Sequence, residues 1–316
     1  GSTGTTGGVG GAIRAAADVV IEDSTFLNNR TDGAGGAINL SGADNSLVVR
    51  RSTFSGNTAF HHGGAINSER GVDVTIENST FSGNIANSDN SVAGGNSTAG
   101  DGGALATHLD NLTNVLISNS TFADNEGYIG GAIRWRIFNV NNINPMPVVR
   151  NSIVAGNTAT IDGADIGEFF NAPGEAPNGT AQFSPDYEFN IIGDATGVAG
   201  VTDGVDGNQA GSTGNELDPK LQALAENGGL TPTRAILAGS IAVDTGSSFG
   251  ITTDQRGETR PSDHPAVANG AGDAADIGAF EIPIFVFNIT TVNCIELRYN
   301  SGTNEVEIFD PVGMVV

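Results

Sequence analysis

The stretch from Gly63-Gly64-Ala65-Ile66 to Ser79-Thr80-Phe81-Ser82-Gly83-Asn84 decides the fold, because both of its ends recur along the chain. The Gly-Gly-Ala-aliphatic phrase also begins at Gly10, Gly35, Gly102 and Gly130. The Ser-Thr-Phe phrase also begins at Ser24, Ser52 and Ser120, and a degenerate copy begins at Ser152. Successive copies of the Gly-Gly-Ala phrase lie 25 to 39 residues apart, most often 28. A period of this length indicates stacked structural repeats.

Inside each copy the apolar residues alternate, as Val74 and Ile76 do. A period of two indicates a strand, and no helical period of 3.6 occurs in residues 1–160. One such unit cannot bury its apolar face alone, whereas stacked units can. The sequence therefore predicts a parallel β-solenoid in which each inward residue lies about 4.8 Å from its copy in the next coil.

Two columns of equivalent residues should fill this stack. Phenylalanines would pile up in the interior, at Phe26, Phe54, Phe81 and Phe122. Asparagines would form a hydrogen-bonded ladder at a turn, at Asn29, Asn57, Asn84, Asn125 and Asn157. The amide side chain bonds its copy, and asparagine tolerates the left-handed backbone of tight corners. The Gly-Gly pairs should mark corners where a Cβ atom would collide or φ is positive.

The repeat fades after residue 163, and the chain divides into three parts. Residues 1–170 carry the coils, residues 171–281 should form terminal coils and an irregular cap with long loops, and residues 282–316 form a β-strand tail. Residues 194–216 read as a long loop. Residues 218–225 predict a short helix that starts at Pro219, and residues 230–281 predict irregular strands closing the far end of the stack. Residues 301–304 predict a hairpin turn.

Composition excludes several functions. The chain of 316 residues has 36 Asp+Glu against 13 Lys+Arg, a formal net charge of −23. No basic run exists that could bind nucleic acid or an anionic membrane surface. No apolar stretch is long enough to insert into a membrane. The single cysteine, Cys294, cannot form a disulfide within the chain.

The repeat resembles those of polymorphic outer membrane proteins and related right-handed parallel β-helix surface proteins. Four later phrases, in residues 190–194, 217–233, 238–246 and 254–281, are similar to motifs of bacterial choice-of-anchor Q domain proteins. The resemblance implies an all-β, right-handed parallel β-helix that is secreted or attached to the cell surface. It implies no reaction, because that family has no agreed catalytic residues to carry over.

The tail contains a β-prone run that is a candidate for assembly. Its apolar residues are Ile284, Phe285, Val286, Phe287 and Ile289. Exposed strand edges recruit other strands. The run would therefore pair either within its own molecule or with a neighbouring copy, and open-ended pairing between copies would give extracellular filaments or a surface layer.

Four further groups bear on activity. Asp203, Asp206 and Asn208 resemble the oxygen-rich half of a calcium loop, although position 214 is glycine where an EF-hand has glutamate, so calcium is a candidate cofactor. Alternation places Trp135 inward and leaves Arg134 and Arg136 in solvent. His61 and His62 lie at a corner, where we expect solvated rings rather than metal ligands; His108 falls near the same corner. Asp254, Asp276 and Glu281 are expected to bond within the cap, with Arg256 and Arg260 as partners.

A carbohydrate-cleaving β-helix needs carboxylates grouped on one face. Here Asp18, Asp44, Asp73 and Asp110 lie near corners instead. We therefore expect no catalytic residues and a non-enzymatic structural or adhesive scaffold that displays loops 87–100 and 171–187. Its partners would be copies of itself, other cell-surface components or extracellular glycans. The alternative is a carbohydrate-active enzyme or carbohydrate-binding module acting on extracellular polysaccharide.

Overall fold

The computed structural model describes residues 8–86, 100–109, 113–137, 146–170, 185–237 and 239–284, and two later strands at 296–300 and 305–309. It divides into two compact units, Gly1–Pro283 and Ile284–Val316. Strands, bridges, bends and turns account for all regular structure in these described ranges, which contain no helix. Of loops 87–100 and 171–187, expected to be displayed, residues 87–99 and 171–184 lie outside the described residues. Residues 186 and 187 belong to a strand, so the second loop ends earlier than expected.

The first unit is a right-handed parallel β-helix built from four sheets. The repeats predict the parallel solenoid, and the resemblance implies its hand. Sheet A contains β1 (Ile13–Ala15), β5 (Ile38–Leu40), β9 (Ile66–Ser68), β13 (Leu105–Leu109), β17 (Ile133–Ile137) and β21 (Ile166–Phe170). Sheet B contains β2 (Val19–Glu22), β6 (Ser46–Arg50), β10 (Asp73–Glu77), β14 (Val115–Ser118), β18 (Val148–Arg150) and β22 (Asp186–Glu188). Sheet C contains β3 (Thr25–Leu27), β7 (Thr53–Ser55), β11 (Thr80–Ser82), β15 (Thr121–Ala123), β19 (Ile153–Ala155), β23 (Ile191–Ile192) and β24 (Gln209–Ala210). Sheet D contains β4 (Arg30–Thr31), β8 (Thr58–Ala59), β12 (Ile85–Ala86), β16 (Glu126–Ile129) and β20 (Thr158–Asp162).

The register places each repeat residue directly on its copy. Phe54 pairs with Phe81, and Phe81 pairs with Phe122. Ring centroids along the stack from Phe26 to Phe122 are 4.7, 4.8 and 4.5 Å apart, and the rings are parallel within 2°. Phe54, Phe81 and Phe122 are fully buried. The predicted phenylalanine column is therefore confirmed, and burying each ring stabilises the stack by about 1.5–3 kcal/mol.

The Gly-Gly corners are also confirmed. Gly63 has φ of +65°, which side chains rarely adopt. A Cβ atom on Gly64 would overlap the carbonyl oxygen of Gly103 in the next coil. The two glycines are thus required for different reasons, one for its backbone angle and the other for the close approach of two coils.

The asparagine ladder forms as predicted. The backbone N–H and the side-chain amide of Asn57 both donate to Asn84 Oδ1, at 3.0 and 2.9 Å. Asn84 bonds Asn125 in the same way. At the end of the column Asn157 bonds Asp165 Oδ1, at 3.1 and 2.8 Å. A carboxylate thus closes the ladder where the next asparagine would lie.

A second ladder, which the sequence reasoning missed, runs beside the first. The N–H of each serine in the Ser-Thr-Phe phrase donates to the hydroxyl of its copy, at 3.1 to 3.2 Å. The ladder then changes to asparagine, because Ser152 N–H donates to Asn190 Oδ1 and Asn190 N–H donates to Asn208 Oδ1. The recurrence of serine at this position of the repeat could have predicted this ladder.

The end of the stack is covered by residues 194–201, which the sequence had suggested were part of a long loop. Val198 joins the interior core, with Ala195, Ala199 and Val201 packed against it. The N–H of Ala199 donates to Glu168 Oε1 at 3.0 Å. This segment, which we call the end cap, shields the last apolar coil from water.

Two predictions for the C-terminal part of this unit are wrong. Residues 218–225 form no helix, because Leu221 bridges to Ile236 and Ala225 to Thr233. The Asp218 carboxylate accepts the N–H of Lys220, whose φ is +51°, and this local turn competes successfully with a helix.

Residues 230–281 do not close the far end of the stack. Instead they run along the outer face of sheet C, as the following bonds show. Gln255 Nε2 donates to Thr53 Oγ1 at 2.9 Å, and the Thr80 hydroxyl donates to Gln255 Oε1 at 2.6 Å. The Ala279 N–H donates to Thr121 Oγ1 at 3.0 Å. The threonines of three successive Ser-Thr-Phe phrases, Thr53, Thr80 and Thr121, thus supply polar attachment points for this covering segment.

The second unit contains an antiparallel hairpin of β25 (Glu296–Asn300) and β26 (Glu305–Phe309). Asn300 pairs with Glu305, so the predicted hairpin is confirmed. Of the assembly candidates, Ile284 is partly exposed, whereas Phe285, Val286, Phe287 and Ile289 lie outside the described residues.

Candidate functional site

A group of charged and polar side chains lies on the outer face of sheet A, and we call it the sheet A cluster. It consists of His62, Asp101, His108, Arg134 and Arg136. His62 and Asp101 each directly precede a Gly-Gly-Ala phrase, so they occupy equivalent corners of neighbouring coils. Arg134 and Arg136 flank the buried Trp135 on β17, and alternation along the strand turns both outward.

The members of the sheet A cluster form a connected chain of contacts. The Arg134 guanidinium contacts the Asp101 carboxylate, and their side chains are only 2% and 4% exposed. His62 Nδ1 lies 3.2 Å from Asp101 Oδ2. Arg136 Nη1 lies 3.2 Å from His62 Nε2 and 3.4 Å from His108 Nε2. The second arginine is therefore held between two imidazole rings.

Burial and positive charge keep both imidazoles neutral. Burial, followed by the charges of Arg134 and Arg136, lowers the pKa of His62 well below its usual value. Burial and the charge of Arg136 lower the pKa of His108 to about 3. The Arg136 N–H groups then donate to both Nε2 atoms, and His62 carries its proton on Nδ1, facing Asp101. Burial and Arg136 also lower the pKa of Arg134, which the contact with Asp101 opposes.

Predictions for this region are partly confirmed. Trp135 is fully buried, and its indole N–H donates to the Tyr187 hydroxyl at 3.2 Å. The expectation that both arginines are solvated is wrong for Arg134, and His62 is largely buried rather than solvated. The reason is that equivalent positions of adjacent coils lie close together, so a carboxylate one coil earlier holds the guanidinium against the sheet.

A cleft of about 570 Å³ lies between the coil turns and the start of the covering segment. Its acidic lining residues are Asp124, Asp165, Asp194, Glu216 and Asp218, and Arg234, which contacts Asp124, is its cation. Burial raises the pKa of Asp165 to about 6. Burial would also raise the pKa of Asp194, but hydrogen bonds from Thr196 and Thr213 outweigh it and lower the value.

The two most buried acids of this cleft accept hydrogen bonds from other parts of the protein. Asp165 Oδ1 ends the asparagine ladder, and Asp165 Oδ2 accepts the N–H of Asp194 at 2.6 Å. Asp194 in turn accepts the Thr196 N–H at 3.0 Å and the Thr213 hydroxyl at 2.8 Å. A general acid or base needs an oxygen that can reach a substrate, and these bonds direct both carboxylates into the protein.

Of the three calcium candidates Asp203, Asp206 and Asn208, the first and the last accept hydrogen bonds within the protein. Asn208 is buried, and its Oδ1 accepts two bonds from Asn190 in the ladder. Asp203 Oδ1 accepts the N–H of Ala210 at 3.0 Å. In the part of the chain that the structure describes, no three His, Cys, Asp or Glu side chains gather closely enough to hold a metal ion.

The expected cap contacts are present, although they fasten the covering segment and not the stack end. Arg256 pairs with Asp254 at 2.7 Å, and Arg260 pairs with Glu281 at 2.8 Å with both side chains fully buried. Asp276 accepts the N–H groups of Asp244 and Ile282. Burial raises the pKa of Asp276 and of Glu281, and the charge of Arg260 opposes the rise.

The described ranges hold no helix that is long and apolar enough to cross a membrane. The chain matches no protein-family model, no curated protein and no solved structure. The resemblance to choice-of-anchor Q and polymorphic outer membrane proteins therefore stays a prediction that rests on the quoted phrases.

Proposed function

We propose that the protein is a non-enzymatic, secreted or cell-surface scaffold with a structural or adhesive role. The observation that carries this proposal is the unbroken asparagine ladder from Asn29 to Asp165, which lies beside the serine ladder and the phenylalanine stack. Nearly every polar group at these turns bonds its own copy one coil away. Such a stack is stiff, and it holds the segments that leave it at fixed positions.

The buried acids support a non-enzymatic role, because their oxygens already accept hydrogen bonds within the protein. Asp165, Asp254 and Glu281 each accept at least two. Incubating the purified chain with neutral and acidic polysaccharides tests the proposal. We expect no new reducing ends and no unsaturated sugar products. Turnover that is lost in Asp124→Asn, a change at an exposed acid of the cleft, would overturn it.

The alternative, a carbohydrate-active enzyme or binding module, is favoured by one observation. The cleft beside sheet C has the volume of a small-molecule site and lies open to solvent beside Asp124 and Glu216. The polysaccharide assay separates the two candidates, because only the alternative predicts turnover that depends on these acids.

We further propose that residues 284–316 join copies of the protein. The hairpin of β25 and β26 supports this proposal, since an isolated two-stranded hairpin is marginally stable in water and gains stability from additional strands. Deleting residues 284–316 should abolish oligomers in light scattering while leaving the thermal unfolding of the β-helix unchanged. Oligomers that persist after the deletion would contradict this assignment.

A further inference from the structure

We propose that strand β26 of one copy adds to the free edge of β1 in a second copy, with Glu307 opposite Arg14. This inference rests on the proposal that residues 284–316 join copies, and it names the surface that the tail binds.

Strand β1 forms one edge of sheet A. Among the described residues its hydrogen-bonded neighbour is β5, on one side. Ile13 and Ala15 pack against the interior core but stay partly exposed, whereas Ile38 and Leu40, their partners in β5, are fully buried. A strand edge that carries partly exposed apolar residues recruits another strand. A strand added at β1 would complete the burial that every following coil already has.

The opposite end of the stack is already covered by the end cap. Val198 lies in the interior core, and the Ala199 N–H donates to Glu168 of β21, the last strand of sheet A. A strand that added there would have to displace these contacts. Strand addition is therefore easier at β1.

The sequence of β26 fits this edge. Strand β1 reads Ile13-Arg14-Ala15, a charged residue between two apolar ones, and β26 contains Val306-Glu307-Ile308. Pairing in register places apolar residues beside apolar residues and Glu307 opposite Arg14, whether the two strands run parallel or antiparallel. Opposite charges on directly paired residues of neighbouring strands stabilise the pairing.

Charge favours β26 over β25 as the added strand. Strand β25 has the same alternation in Leu297-Arg298-Tyr299, but it would place Arg298 opposite Arg14, and like charges directly opposite each other are destabilising. Arg14 is exposed and forms no ion pair with the described residues. By contrast, Arg50 of the next coil pairs with Glu77 at 2.7 Å. Arg14 is therefore free to attract an acidic residue of a second copy.

The test is sedimentation velocity of the full chain over a series of protein concentrations. Arg14→Glu and Glu307→Arg should each weaken self-association about tenfold, because like charges then face each other. Mixing the two single variants should restore association, because every contact between unlike copies again joins opposite charges. Arg30→Glu is the matched control, since Arg30 is an exposed residue of β4 in the same coil, and it should leave association unchanged.

Equal association of wild type and Arg14→Glu would overturn the inference, as would a mixture of the two variants that associates no better than either alone. An effect of Arg30→Glu as large as that of Arg14→Glu would also overturn it, since it would reflect net charge rather than one contact. Circular dichroism shows whether each variant folds, and Arg14→Gln provides a second variant with an intermediate weakening.

The deletion of residues 284–316 separates this inference from the proposal on which it rests. If the deletion abolishes oligomers and Arg14→Glu does not weaken them, the tail joins copies through another surface and only this inference fails. Oligomers that persist after the deletion, or a wild-type chain that stays monomeric at every concentration, would overturn both.

Discussion

Sheets A and C come from the same repeat, yet their outward faces are built on different principles. On sheet C the first four coils place a threonine in the same outward position, and Thr53, Thr80 and Thr121 all bond the covering segment. The next two coils place Ile153 and Ile191 there. On sheet A the equivalent outward position holds Asn39, Asn67, Ala106 and Arg134 in successive coils. One face repeats its chemistry and the other varies it.

This difference determines which partners the side chains of each face bond. A side chain that recurs in every coil bonds its own copy, and such ladders stabilise the stack without any foreign partner. A side chain that occurs once has no copy to bond, so it pairs with unlike neighbours, as Arg134 does with Asp101. Contacts that repeat from coil to coil are therefore expected on sheet C, and contacts between unlike side chains are expected on sheet A.

The largest effect should come from breaking the interior column behind sheet C. Phe81→Ala leaves a cavity between Phe54 and Phe122 and should lower the free energy of unfolding by about 3–5 kcal/mol. Phe60→Ala is the matched control, because Phe60 is 37% exposed. Urea unfolding followed by circular dichroism measures both. A cost at Phe60 equal to that at Phe81 would argue against the stack as the source of stability.

Substituting two buried asparagines, one in the asparagine ladder and one on sheet A, compares how much each contributes to the free energy of unfolding. Asn84→Ala removes the acceptor of two Asn57 N–H groups and should cost about 1–3 kcal/mol of unfolding free energy. Asn67→Ala removes one bond to Asn39 on sheet A and should cost less than about 1 kcal/mol. The same unfolding experiment measures both. If Asn67 costs more than Asn84, the distinction between structural and variable faces is wrong.

The end cap should respond to pH through Glu168. Burial raises the pKa of this carboxyl from 4.5 to about 7. The folded state therefore holds the proton more tightly than the unfolded state, so stability is greatest below about pH 4.5 and falls as pH rises toward 7. The expected loss is roughly 1–3 kcal/mol. The exchange rate of the Ala199 amide at pH 5 and pH 8, corrected for intrinsic exchange, measures this opening.

Glu168→Gln should remove most of this difference between pH 5 and pH 8. The same change at Glu258, an exposed side chain of the covering segment, should leave the difference in place. An Ala199 amide equally protected at both pH values in the wild type would contradict the role of Glu168.

The smallest effect should come from the sheet A cluster itself. Arg136→Gln should change the free energy of unfolding by less than about 0.5 kcal/mol, since Arg136 is only partly buried and lies on the outer face. Thermal unfolding at neutral pH measures this. A loss of several degrees would show that Arg136 stabilises the stack, and would weaken the contrast between the faces.

The periodic part of the fold could be predicted from the sequence, because Phe81 and Asn84 each recur in the repeat. In a stack of repeats, each such residue contacts its copy in the next coil. The helix predicted at 218–225 failed because that segment has no copy, and its packing against Thr233 and Ile236 lies beyond any local pattern. The sheet A cluster was missed for a related reason. His62 and Asp101 share a register position, but alternation alone says only that a side chain points outward, not what it meets there.

The amide exchange of the ladder tests the central claim most directly. We predict that the backbone N–H groups of Asn57, Asn84 and Asn125, which donate to the next side chain in the column, are among the slowest to exchange in the chain. Exchange at these three positions as fast as in exposed turns would contradict the account, because the ladder would then not hold the coils together.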